Sequence, residues 1–254
     1  MMKTDLLALN YRNPEISPAC EASELDEERK ERNKQLVESW ADKLYDADAT
    51  TIMQWAARYA GRLAVTLSME NTVLAELAAQ HVPNADFVFL DTEYHFAETL
   101  GVARQVEKRY PNRLVTARAV LSKEEQDRIY GPQLYRRDAM ACCRMRKVEP
   151  LVVALGDYDA WVTGLRRADG PTRADAPSIS LDQAGRLKIS PLVTWTLDDT
   201  EDFIAHNDLI MHPLTRQGYP SIGCATCTLP VERGSDPRSG RWSGQTKTEC
   251  GLHT

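Results

Sequence analysis

Six cysteines carry the most chemistry in this chain of 254 residues. Four fall into two pairs: Cys142 and Cys143 in "ACCR", and Cys224 and Cys227 in "GCATC". A Cys-x-x-Cys after a glycine forms a tight turn that can present two thiolates to one metal centre. Adjacent cysteines normally point apart, so joint ligation by Cys142 and Cys143 demands an unusual local backbone. Four thiolates suit zinc or an iron–sulfur cluster, and the spacing, which matches neither usual ferredoxin pattern, does not choose between them. A redox dithiol and two buried thiols are the other readings of "GCATC". Cys250 stands in the last segment, "KTECGLHT", as either an incidental surface thiol or a nucleophile on an arm. Cys20 matches no motif and reads as a spare thiol.

Cations gather around the same segments. Arg136, Arg137, Arg144, Arg146 and Lys147 flank the first cysteine pair, "VTGLRR" carries Arg166 and Arg167, and Arg233, Arg238, Arg241 and Lys247 follow the second pair. The net charge is nevertheless −6, which argues against a nucleic-acid binder acting through bulk charge. Basic clusters on an acidic protein point instead to a small anionic ligand, with solvated surface as the plain alternative.

These residues need a scaffold, and the pattern supplies one. "SELDEERKERNKQLVESWADKLYDA" reads as a helix that Ser23 can cap, with Leu36, Val37, Trp40 and Leu44 as its apolar stripe. "DATTIMQWAARYAG" reads as a second helix closed by Gly61. Short apolar runs then alternate with helices: "RLAVTLS", "MENTVLAELAAQH", "DFVFLDT", "EYHFAETLGVARQVEKRY", "NRLVTARAV", and "SKEEQDRIYG" opened by Ser122. "KVEPLVVALGDYD" and "AWVTGLRR" add a helix and a strand. This is the signature of an α/β fold, a parallel sheet flanked by helices with right-handed crossovers. Ligands in such sheets bind beyond the carboxyl ends of the strands, here "TLSMEN", "LDTEYH" and "VTGLRR". From about residue 168 the rhythm is lost, leaving short strands at most and the capped helix "TLDDTEDFIAHND". The last 42 residues, with six glycines and four prolines, read as loop. The division expected is an irregular and helical segment (1–61), an α/β core (62–212) and a loop-rich region with a mobile tail (213–254), probable parts of one structural domain.

No apolar run reaches membrane-span length. The first residues lack a secretory pattern, so a reducing cytosol is expected. There, clustered cysteines serve metals or redox chemistry more often than structural disulfides. No feature decides between a monomer and a homo-oligomer.

"CCRMRKVEPL", "VTGLRR", "QGYPSIGCATC" and "ECGLH" resemble, in that order, the motifs of assimilatory adenylyl-sulfate reductases, within the wider phosphoadenylyl-sulfate reductase family. The resemblance runs from about Arg62 to His253. It implies an adenine-nucleotide-alpha-hydrolase-like fold and a 4Fe-4S cluster on Cys142, Cys143, Cys224 and Cys227. It implies reduction of adenylyl sulfate to sulfite and AMP with electrons from thioredoxin, in sulfate assimilation toward cysteine. Cys250 corresponds to the nucleophile. Lys147, Arg238, Arg241 and His253 correspond to residues around the phosphosulfate. Arg173 corresponds to a further substrate arginine, joined here by the paired Arg166 and Arg167, and Thr66, Leu67 and Ser68 lie in the nucleotide loop. That loop departs from the usual Ser-Leu-Gly-Ala-Glu-Asp at Thr66, Ser68 and Asn71, among others. "LDTEYHF" has Glu93 where glycine is common, and "RRADGPTR" lacks the usual Asp-Gln-Ser.

Three rival readings stand beside this resemblance. A 3′-phosphoadenylyl-sulfate reductase usually lacks both cysteine pairs, although use of both substrates stays open. A zinc-bearing tRNA-modifying relative would want a glycine-rich pyrophosphate loop and a basic surface. A non-enzymatic zinc or redox scaffold would leave Cys250 idle.

Overall fold

A computed structural model describes residues 25–232, 234–243 and 247. Two helices open it, α1 (Glu27–Leu44) and α2 (Ala49–Tyr59). The cap of α1 is Asp26, whose side chain accepts from the Arg29 amide at 2.8 Å. This corrects the expectation of Ser23, which lies outside the described residues. Trp40 of α1 meets Trp55 and Tyr59 of α2, with ring centroids 6.3 and 5.4 Å away, which fixes the two helices against each other.

The chain then alternates through β1 (Leu63–Leu67), α3 (Val73–His81), β2 (Asp86–Asp91), α4 (Ala97–Arg109) and β3 (Leu114–Arg118). Next come α5 (Lys123–Tyr130), α6 (Leu134–Arg137), α7 (Ala139–Cys143), a π-helical turn (Arg144–Val148), α8 (Glu149–Ala154) and β4 (Ala160–Val162). Ser122 caps α5 in a full capping box with Glu125, as its sequence suggests. The turn-rich stretch after residue 168 holds two more strands, β5 (Ile179–Leu181) and β6 (Leu187–Ile189), before α9 (Leu197–His206).

The strand order is β3-β2-β1-β4-β6-β5, parallel throughout except for the antiparallel β5–β6 pair. Alternate residues serve opposite faces, as the pleat requires. Leu63, Val65, Leu67, Phe87 and Phe89 join the large core beneath α1 to α4 and α9. Ala64 and Val88 join a smaller core with Leu151, Leu155 and Trp161 on the α8 side. Because β2 and β3 extend to one side of β1 and β4 to the other, the strand order reverses between β1 and β4. That is where a crevice opens in such sheets. No described helix is long and apolar enough to cross a membrane.

Candidate active site

A cleft of about 240 Å³ occupies this reversal point. All three strand-end segments reach it: Thr66 to Ser68 at the end of β1, Thr92 and His95 after β2, and Thr163, Gly164 and Arg166 after β4. Its charged lining is Lys147, Arg166, Arg173, Arg238 and Arg241 on the cationic side, against Glu70. Such a cleft suits a ligand carrying more than one negative charge.

The loop after β1 spends its polar groups on its own shape. The Thr66 hydroxyl donates to the Val162 carbonyl at 2.9 Å, tying β1 to β4. Buried Met69 takes φ +64° to turn the chain. The Asn71 side chain accepts from the Val73 amide at 3.1 Å and so finishes the start of α3. Glu70 accepts from the Ile222 amide at 3.0 Å. Burial lifts its carboxyl above the ordinary value, against that hydrogen bond and the pull of Arg166 and Arg241.

Arg166 and Arg173 are held by one carboxylate. Arg166 Nη2 lies 2.7 Å and Arg173 Nη1 2.9 Å from opposite oxygens of Asp169. Arg167 is a correction: the structure turns it away from the cleft. It reaches Asp46 at 2.5 Å and the Tyr45 carbonyl at 2.7 Å, and its guanidinium lies 3.9 Å from the Tyr45 ring. The cause is local. Arg166 is extended, at φ −124° and ψ 144°, so consecutive side chains leave on opposite sides.

Arg241 is built into the second cysteine segment. Thr228 and Arg241 form an antiparallel bridge, and the Trp242 amide donates to the Cys227 carbonyl at 3.0 Å. The Arg241 guanidinium lies so close to Gly223 that a Cβ there would fall inside its van der Waals contact. Its Nη1 donates to Ser221 Oγ and the Ile222 carbonyl, each at 3.2 Å, and its buried Nε has no partner. Lys247 places its ammonium 3.0 Å from the Ala139 carbonyl, at the start of α7.

Cys142, Cys143, Cys224 and Cys227 line one small cavity beside the cleft. The first three are buried, the fourth is half-buried, and all four are free thiols. Cys142 and Cys143 both lie in α7, which passes directly from Cys143 into the π-helical turn. Burial, and after it the neighbouring thiols, push Cys142 up to about 12. Cys227 is likewise raised, mainly by burial. Thr92 Oγ1 stands 3.3 Å from Cys224 Sγ. Lys147, Arg241 and Trp242 line both the thiol cavity and the cleft, forming a shared wall. No group of three or more described His, Cys, Asp or Glu side chains is placed to hold a single metal ion.

Cys250 and His253 lie outside the described residues. Sequence reasoning passed over Glu70, although it quoted its loop, and also Asp169, His95 and Trp242. His95 Nε2 lies 2.8 Å from the Leu90 carbonyl, and burial lowers its pKa, so the cleft sees a neutral imidazole. The signal for Glu70 and His95 was their position just after β1 and β2 rather than their type.

The chain is similar to known proteins in both sequence and fold. Adenosine 5′-phosphosulfate reductase of Mycolicibacterium smegmatis is 47% identical, the match covering 87% of this chain and 94% of the relative. The protein of the same name from Streptomyces coelicolor is 44% identical, over 90% of this chain and 98% of its own. Among solved structures, the phosphoadenylyl-sulfate reductase of Candida auris, in a phosphate complex, superposes with a TM-score of 0.62 at 25% identity, covering 81% of this chain and 98% of that one. FMN adenylyltransferase of Candida glabrata shares the fold alone, with a TM-score of 0.51 at 16% identity, over 83% of this chain and 79% of its own. Residues 62–230 match the phosphoadenosine phosphosulfate reductase domain, and the chain belongs to that family.

Proposed function

We propose that this chain reduces adenylyl sulfate to sulfite and AMP, with electrons from thioredoxin, through an S-sulfonate on Cys250. This is the reductive step of sulfate assimilation. The observation that carries the reading is the wall of Lys147, Arg241 and Trp242 shared by a cation-lined cleft and a four-thiol cavity. The names of the relatives support the same substrate.

Adenylyl sulfate brings two adjoining anions, and the Cys250 thiolate brings a third negative charge. Lys147, Arg238 and Arg241 lower the repulsion and hold the phosphosulfate for in-line attack. The thiolate attacks sulfur, the bond from sulfur to the bridging oxygen breaks, and AMP leaves with the electron pair. Cys250 is left as the S-sulfonate. A thioredoxin thiolate then attacks the Cys250 sulfur and expels sulfite with that bond's electrons. The second thioredoxin thiol resolves the mixed disulfide and restores Cys250. His253 adds a proton-bearing group two residues beyond Gly251.

The four thiols fit a 4Fe-4S cluster by donor type. They are all sulfur, they share one cavity, and burial raises the Cys142 thiol against the pull of Arg146. Two orphaned donors, Arg146 Nη2 and Arg241 Nε, belong to residues lining that cavity, and suit an anionic, sulfur-rich group. When bound, a cluster with four thiolates supplies a fixed negative charge behind Lys147 and Arg241.

The test is sulfite release with reduced thioredoxin, comparing adenylyl sulfate with its 3′-phosphorylated analogue. Release from adenylyl sulfate at the higher kcat/KM is expected. Preference for the phosphorylated analogue would reassign the substrate, and release from neither would sink the reading.

A further inference from the structure

We propose that Glu93 is a positioning residue for the thiol cavity, acting through Arg146. The inference rests on the reading that the four thiols hold an iron–sulfur cluster.

Arg146 is 2% exposed and sits in the π-helical turn, three residues after Cys143. A buried guanidinium needs its N–H groups met and its charge balanced. Its Nε donates to Gln126 Oε1 at 2.8 Å, and its plane lies 5.6 Å from the Tyr94 ring. Its Nη1 donates to the carboxylate of Glu93. Among the described residues its buried Nη2 has no partner, and Arg146 lines the thiol cavity. Two of its three nitrogens are therefore fixed by side chains outside the cavity, leaving the third for whatever the thiols hold.

Glu93 itself occupies an unfavourable backbone position. Its φ is +60°, a region a side chain enters at a cost and glycine enters freely. Its amide donates to Asp91 Oδ1 at 3.0 Å, which fixes the turn. On either side, Thr92 meets Cys224 Sγ and the Tyr94 carbonyl accepts from the Ala225 amide at 2.7 Å. The turn after β2 thus grips the second cysteine segment through Thr92 and Tyr94, and the first through Glu93 and Arg146. A carboxylate retained at a glycine-type φ, aimed at the buried cation next to the thiols, is the observation that assigns the role.

Two replacements separate charge from backbone strain. E93Q keeps the shape and removes the charge, whereas E93G relieves the φ and removes the whole contact. Holoenzyme of each would be purified anaerobically, its iron counted, and cluster bleaching by a chelator followed at constant pH. Loss of an outer partner of this kind lowers metal retention by about tenfold or more. Bleaching about tenfold faster in both variants is expected, with the KM for adenylyl sulfate unchanged, because Glu93 does not line the cleft. The cluster midpoint potential of E93Q should rise, since an unbalanced Arg146 cation favours the added electron. A merely structural role would lower the unfolding temperature without moving the potential. E93Q/R146Q should bleach no faster than R146Q, because both changes break one contact. Bleaching and potential equal to wild type in E93Q would overturn the Glu93 inference alone. Iron-free wild-type protein would overturn the cluster reading and this inference with it.

Discussion

In the cleft, the arginines are held before any ligand arrives: Asp169 holds Arg166 and Arg173, and Arg241 rests on Ser221 and the Ile222 carbonyl. In the thiol cavity next door, donors are left over. Cys142 is pushed up to about 12, and Arg146 and Arg241 each bury an unmet N–H. The first cavity behaves as a preorganised site whose cations turn toward an incoming anion with little rearrangement. On the proposed reading, the second would hold a resident group that takes the thiol protons away and accepts the spare donors. The two cavities meet at Lys147, Arg241 and Trp242.

The largest effect expected separates them outright. Cys250→Ser should keep its iron and bind AMP, yet show no burst of AMP and no sulfonate adduct by mass spectrometry. Cys227→Ser should lose both iron and turnover. Full iron in the second variant would break the comparison. Next, Asp169→Asn removes the carboxylate shared by two mostly buried arginines, and the unfolding free energy should fall by about 3 kcal/mol. Denaturant titration measures this, while iron content stays unchanged. An unaltered midpoint would show that the two arginines do not need their partner.

A smaller effect should come from the shared wall. Gly223→Ala forces Arg241 to move, so adenylyl sulfate and AMP should each bind more weakly by about 1.5–3 kcal/mol in calorimetry. Unchanged affinity would take Arg241 out of the anion site. The smallest concerns Glu70, whose carboxyl is raised by burial. As pH climbs through that raised value, the group ionises beside the ligand and anion binding weakens. Glu70→Gln should flatten this decline and tighten binding at high pH by under about 1.4 kcal/mol. A decline of the same slope in the variant would place its origin elsewhere.

The alternation of apolar runs and helices made the parallel sheet legible, because buried strands and amphipathic crossovers leave unlike patterns. Boundaries at the site were less so. The helix after β2 reads from "EYHF" but begins at Ala97, since Thr92 and Tyr94 are drawn to the cysteine pocket instead. The helix after β1 reads from Met69 but begins at Val73, because Met69 turns left-handed. Strands β5 and β6 have three residues each, too few for a period to show. The four clustered thiols were legible from type and spacing. The direction of Arg167 was not, because an extended backbone separates neighbours that a sequence prints side by side.

The bond from the Lys247 ammonium to the Ala139 carbonyl ties that lysine to the start of α7, beside the first cysteine pair. Covalent geometry limits three residues to about 11 Å of reach. On the proposed reading, Cys250 would therefore meet substrate at an effective concentration set by tether length, not by the amount of enzyme present.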